Sequence, residues 1–105
     1  MSNLAHDRLD VAATQFVRAA GVQMRQEAES AIHCFQCGST LGARHHLTTL
    51  KRLAERSARI ERYLLHSSSA AAQLKRAADA ALHALDAGSP ARVVHALERV
   101  EELAQ

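Results

Sequence analysis

The sequence predicts an all-α fold: an antiparallel, up-down bundle of about four helices with a long first helix, paired as a homodimer. Three observations lead there. Apolar residues recur at steps of three and four over long stretches, the period of a helix face and not of a strand. Breakers are scarce, with one proline and four glycines in 105 residues. The clearest of them fall at Gly38-Ser39 and Gly88-Ser89-Pro90, in the order in which one helix stops and the next begins.

The first helix is expected from about Asn3 to Cys37, with the stripe Leu9, Ala13, Phe16, Val17, Ala20, Met24, Ala28, Ala31 and Phe35. Gly21 interrupts it at up to ~1 kcal/mol against alanine, and is expected to mark a close helix crossing or a bend. Gly38 is a natural C-terminal stop. Ser39 or Thr40 then caps the second helix. Leu47, Leu50, Leu53, Ala54, Ser57, Ile60 and Leu64 share one side of it, and Arg52, Arg56 and Arg59 the other. The pattern breaks near His66, and Ser67, Ser68 and Ser69 offer caps for a third helix with the stripe Ala71, Leu74, Ala78, Ala81, Leu82 and Leu85. Gly88, Ser89 and Pro90 supply a stop, a cap and a first-turn proline. The last helix carries Val93, Val94, Leu97, Val100 and Ala104, with Glu98, Glu101 and Glu102 outside.

The chain has room for one domain, 1–105, and one core. Its hydrophobic fraction of 48% excludes disorder by composition. Much of that fraction is alanine, and the aromatics are Phe16, Phe35 and Tyr63. Alanine seams bring helices close but bury little area, at roughly 25 cal/mol per Å². The first helix, at ~1.5 Å per residue, spans about 45–50 Å and the last less than half of that. This mismatch leaves apolar surface for a second copy or a partner.

A net charge of +2, from 13 basic and 11 acidic residues, is too balanced for a dedicated nucleic-acid or membrane-surface protein. No run approaches the ~18 apolar residues of a membrane span. The start Met1-Ser2-Asn3-Leu4-Ala5-His6-Asp7 has no charged head followed by an apolar stretch, so a secretory signal is not expected. Two cysteines three positions apart fit a reducing compartment, and the expectation is a cytoplasmic bacterial protein. Catalysis finds no footing, and the chain is expected not to be an enzyme. Glu27 and Glu29 do not share a helix face, and there is no glycine-rich phosphate loop and no Glu-x-x-His pair.

His33, Cys34, Cys37, His45 and His46 gather around the first turn. The expectation is no bound cofactor. The alternative is a Zn²⁺ site on Cys34, Cys37, His45 and His46, which His83 and His95 could join from the same pole. The segment Cys34-Phe35-Gln36-Cys37-Gly38, followed by Leu41 and Arg44, locally resembles the first half of the DksA-like four-cysteine zinc fingers. That likeness implies a zinc knuckle over about a dozen residues; the second cysteine pair is absent, and the family's polymerase-binding activity is not carried over. His33, followed by Leu41-Gly42-Ala43, Leu47 and Leu50, resembles the phosphoacceptor region of histidine phosphotransfer domains. That likeness implies a four-helix bundle, a Leu-Gly-Ala turn and a phosphorylated His33. Gln36 and Cys37 stand where the family has lysine and glycine.

The functional expectation is a small regulatory module of the adaptor, chaperone or anti-activator type, binding a larger protein such as a transcription regulator or secretion component. It would block or remodel that protein's interface through an apolar helix face. Phe16, Met24, Tyr63, Leu64 and Leu65 are the expected contact residues. The alternatives are a metal-binding or phosphotransfer module centred on His33, Cys34 and Cys37, and a nucleic-acid-associated protein using the arginine face of the second helix. For the last, the arginines lack interleaved aromatics.

Overall fold

A computed structural model describes the backbone of residues 4–65 and 70–105, and the side chains of 8–63 and 70–105. Four helices account for nearly all of them: α1 (Leu4–Gln36), α2 (Thr40–Leu65), α3 (Ala70–Ala87) and α4 (Pro90–Ala104). No strand occurs among the described residues. The expected ends Asn3 and His66 and the expected caps Ser67–Ser69 lie outside them.

The first turn is built by one glycine and one serine. Gly38 has φ 85°, the left-handed conformation that lets a helix end without a Cβ clash. Its N–H donates to the Phe35 carbonyl at 3.0 Å, and the Ser39 N–H to the Cys34 carbonyl at 2.8 Å. These two bonds form a Schellman motif and satisfy carbonyls that the end of α1 would leave open. Ser39 also starts α2, its Oγ accepting the Gly42 N–H at 3.0 Å. The second turn uses the same dipeptide differently. Gly88 has φ 70° and donates to the Leu85 carbonyl. Ser89 caps α4 in an extended conformation with no side-chain bond, and Pro90 opens the helix.

Each helix packs on the next, and α1 also meets α4. The core is an alanine seam punctuated by larger groups. Ala20, Met24, Ala28 and Ala31 face Leu47, Leu50, Ala54, Leu74, Ala78, Ala81, Val93, Leu97 and Val100 in one buried cluster. Three ion pairs tie α2 to α3: Arg44 with Asp86, Lys51 with Asp79 at 2.8 Å, and Glu55 with Lys75 at 3.9 Å. Steps of seven and four residues forward along α2 are matched by equal steps backward along α3. Ser57 is fully buried, and its hydroxyl finds no hydrogen-bond partner among the described residues.

The molecule is a rod of 57 × 21 × 18 Å. At ~1.5 Å per residue α1 spans about 50 Å and α4 about 22 Å. The consequence shows in burial. No described residue of α1 before Ala20 is buried. Leu9 and Phe16, expected in the core stripe, are 63% and 37% exposed, because that stretch of α1 lies where the bundle has too few neighbours to close over it. Val94, placed in the stripe of the last helix, is 45% exposed and borders a groove against Ile32 and Phe35 of α1. Gly21 marks no close crossing: a Cβ there would meet nothing within 4 Å. The close approach is at Gly42 instead, where a Cβ would lie 2.8 Å from both Cys34 Sγ and Ser39 Oγ. The turn expected at Leu41-Gly42-Ala43 is thus part of α2, the chain having already reversed at Gly38.

Candidate functional site

The expected contact residues separate by burial. Phe16 and Tyr63 are exposed, Tyr63 at 49%, on the stretches of α1 and α2 farthest from the first turn. Met24 is 6% exposed and belongs to the core, one turn inside the stretch that the bundle covers. Leu64 and Leu65 close α2, and their side chains lie outside the described residues. Leu9, not among the expected contacts, adds the largest exposed aliphatic side chain on this part of α1. It precedes Phe16 by seven residues, two helical turns, so the two share an edge of α1.

The Cys/His group at the first turn is divided among four contacts in three separate places. His46 Nδ1–H donates to Glu27 Oε2 at 2.6 Å, a half-buried link between α2 and α1. The rings of His45 and His46 meet edge to face with centroids 5.3 Å apart. Cys34, half-buried, packs against the start of α2 at Gly42. Cys37 is exposed, with its Sγ 3.7 Å from Nε2 of His33 one turn earlier. Among the described residues no three His, Cys, Asp or Glu side chains are grouped to hold a metal ion. His83 and His95 do not join this group; they line a groove of their own between α3 and α4, beside Arg92. The Glu27–His46 link escaped the sequence reading because the partners are nineteen residues apart on different helices, and only the helix register aligns them.

The arginines of α2 also divide. Arg44 is paired with Asp86, whereas Arg52, Arg56 and Arg59 are exposed and form no ion pair among the described residues. Asp79 holds the Lys51 ammonium above its ordinary value of 10.5, first by a hydrogen bond and then by its charge. Two half-exposed or exposed positions on the same helix, Thr48 and Thr49, bond back to the carbonyls of Arg44 and His45. No described helix is long and apolar enough to cross a membrane.

The chain matches no family model, no curated protein and no solved structure.

Proposed function

We propose that this chain is a small cytoplasmic regulatory module, a single domain in up-down order, that binds a larger protein and masks or remodels its interface. It acts by occupancy and not by turnover. The observation that supports this reading is the exposed apolar edge at the far end of the rod: Leu9 and Phe16 on α1 and Tyr63 on α2 remain open where α1 has outrun α4. Helix-in-groove recognition uses such edges, with anchors spaced by whole turns. The matched forward and backward steps of the α2–α3 ion pairs support the up-down order. The same edge would serve a homodimer, in which a second copy is the partner.

The test is capture of partners by the intact chain, compared with Phe16→Asp and Leu9→Asp. Both substitutions fall on exposed positions, so circular dichroism should keep the helical signal while the partner is lost. Sedimentation at the same concentrations separates a self-pair from a heterologous complex. Unchanged capture and unchanged mass in both variants would remove this edge from the account. The exposed arginines Arg52, Arg56 and Arg59 support one further reading, docking on an acidic surface or nucleic acid. That binding would fall steeply with added salt, and lack of any DNA shift at low salt would restrict it to protein.

A further inference from the structure

We propose that His33 and Cys37 form one half of a tetrahedral divalent-metal site, which a second copy of the chain completes. The two residues stand one turn apart on α1, both exposed, with Sγ and Nε2 3.7 Å from each other. Two ligands of a tetrahedral Zn²⁺, with bonds of about 2.3 Å to sulfur and 2.0–2.1 Å to nitrogen, are separated by roughly 3.5–3.6 Å. The pair is therefore set at a chelating distance before any ion arrives.

Its place in the fold favours a cation. Cys37 follows the last residue of α1, at the negative end of the helix dipole. A dication bound beside the last carbonyls of α1 has the sign that this end of the helix favours. Among the described residues no third ligand joins the pair. Cys34 Sγ is turned against the start of α2, His46 is tied to Glu27 with the His45 ring against its own, and no described group of three ligands exists. Two half-sites related by a twofold axis supply two cysteines and two histidines. On binding, each Cys37 gives its thiol proton to water and each His33 stays neutral. Two thiolates then balance the dication, and no electron is transferred.

The surface around the pair is mixed. On the same side of α1, Arg18, Gln26 and Glu29 are exposed and polar, whereas Val22 among them and Leu41 just past the turn are 51% and 78% exposed. The ion would add to whatever apolar contact two copies make there, and the ligand variants separate the two contributions. The half-site is also distinct from the apolar edge of the far end, so its test does not depend on that reading.

The experiment is a Co²⁺ titration of the reduced, chelator-stripped full chain, followed by absorption and sedimentation. The expected result is saturation at about half an equivalent per chain, a thiolate-to-cobalt charge-transfer band, the strong visible bands of a tetrahedral ion, and a doubled mass. His33→Ala and Cys37→Ser should each abolish all of these, and Cys34→Ser should keep them. A second measurement uses the unaltered chain: Zn²⁺ should slow alkylation of Cys37 and leave Cys34 unaffected. The proposal is overturned by one equivalent per chain without a change of mass, by a spectrum that survives either variant, or by an unprotected Cys37. A plain thiol–imidazole hydrogen bond would give the last of these.

Discussion

The two ends of α1 carry the same helical pattern and meet opposite fates. From Ala20 to Ala31 the apolar positions Ala20, Met24, Ala28 and Ala31 are exposed by 6% or less. In the preceding stretch Leu9 and Phe16 stay open and Ala13 is only half-buried. The apolar groups are larger in the open half, so hydrophobicity does not explain the difference. Length does: α4 has 15 residues and α1 has 33. A stripe states which side of a helix is apolar, and only the neighbours' lengths decide how much of it is covered. The covered half is also the one with small side chains, which let the helices approach closely.

The strongest test of this contrast is a pair of truncations. Met24→Ala, in the covered half, should cost about 2–5 kcal/mol, through lost transfer energy and a cavity. Leu9→Ala, in the open half, should stay within about 0.5 kcal/mol, as surface changes do. Urea denaturation of both variants measures the difference. Equal losses would mean that the far end of α1 is covered after all, by a second copy, for example.

Gly42→Ala sharpens the comparison at the covered end. Its Cβ would press on Cys34 Sγ and Ser39 Oγ at 2.8 Å, and Ser39 Oγ is already bound to the Gly42 N–H. A loss of about 1–3 kcal/mol is expected from this overpacking. A neutral result in thermal melts would show that α1 and α2 are free to move apart at the turn. Ser57→Ala should act in the other direction. It removes a fully buried hydroxyl that has no partner among the described residues, and a gain of about 1 kcal/mol is expected. A loss instead would reveal a hydrogen bond to that hydroxyl in solution. Gly21→Ala probes the boundary between the halves. With open space around the Cβ, alanine should stabilise α1 by roughly 0.5–1 kcal/mol. Destabilisation would place a neighbour against this position.

Much of the fold was legible in the sequence because its signals are local. Gly38, Ser39, Gly88 and Pro90 act within a few residues of themselves, and they set the turns and the starts of α2 and α4 where the structure has them. Much of the stripe expected on α2 and α3 is buried, since both helices have neighbours along most of their length: Leu47, Leu50, Ala54, Ser57, Ala71, Leu74, Ala78 and Ala81. Leu53, Ile60, Leu82 and Leu85 are only half-buried, and the buried Ala43, Ala58, Ala77 and Ala84 lay outside the expected stripe. What was not legible depends on more than one helix. Gly21 and Gly42 are indistinguishable as letters, yet only Gly42 faces another helix at close range. Met24 and Phe16 belong to one stripe, and coverage by other helices separates core from surface. The Cys/His group was visible as a cluster in sequence. The His33–Cys37 pair is one turn apart on α1 and legible from spacing alone, whereas the placement of Cys34 against Gly42 and of His46 on Glu27 required the register of α1 on α2.

The smallest expected effect concerns the ion pairs that align α2 with α3. Lys51 is about one-third exposed, so its contact with Asp79 is partly screened by solvent. Asp79 raises the Lys51 pKa above 10.5 in the folded chain. A raised cationic group contributes stability that is fully present below its unfolded pKa and lost as pH rises through its folded pKa. The contribution should therefore hold through neutral pH and fade only in alkali, above about pH 10.5. Melting of the native chain and of Lys51→Met, compared across that range, should show a small gap that closes as the ammonium is lost. A gap that stays open after the ammonium is lost would show that the Lys51 side chain supports the α2–α3 contact by its packing and not by its charge on Asp79.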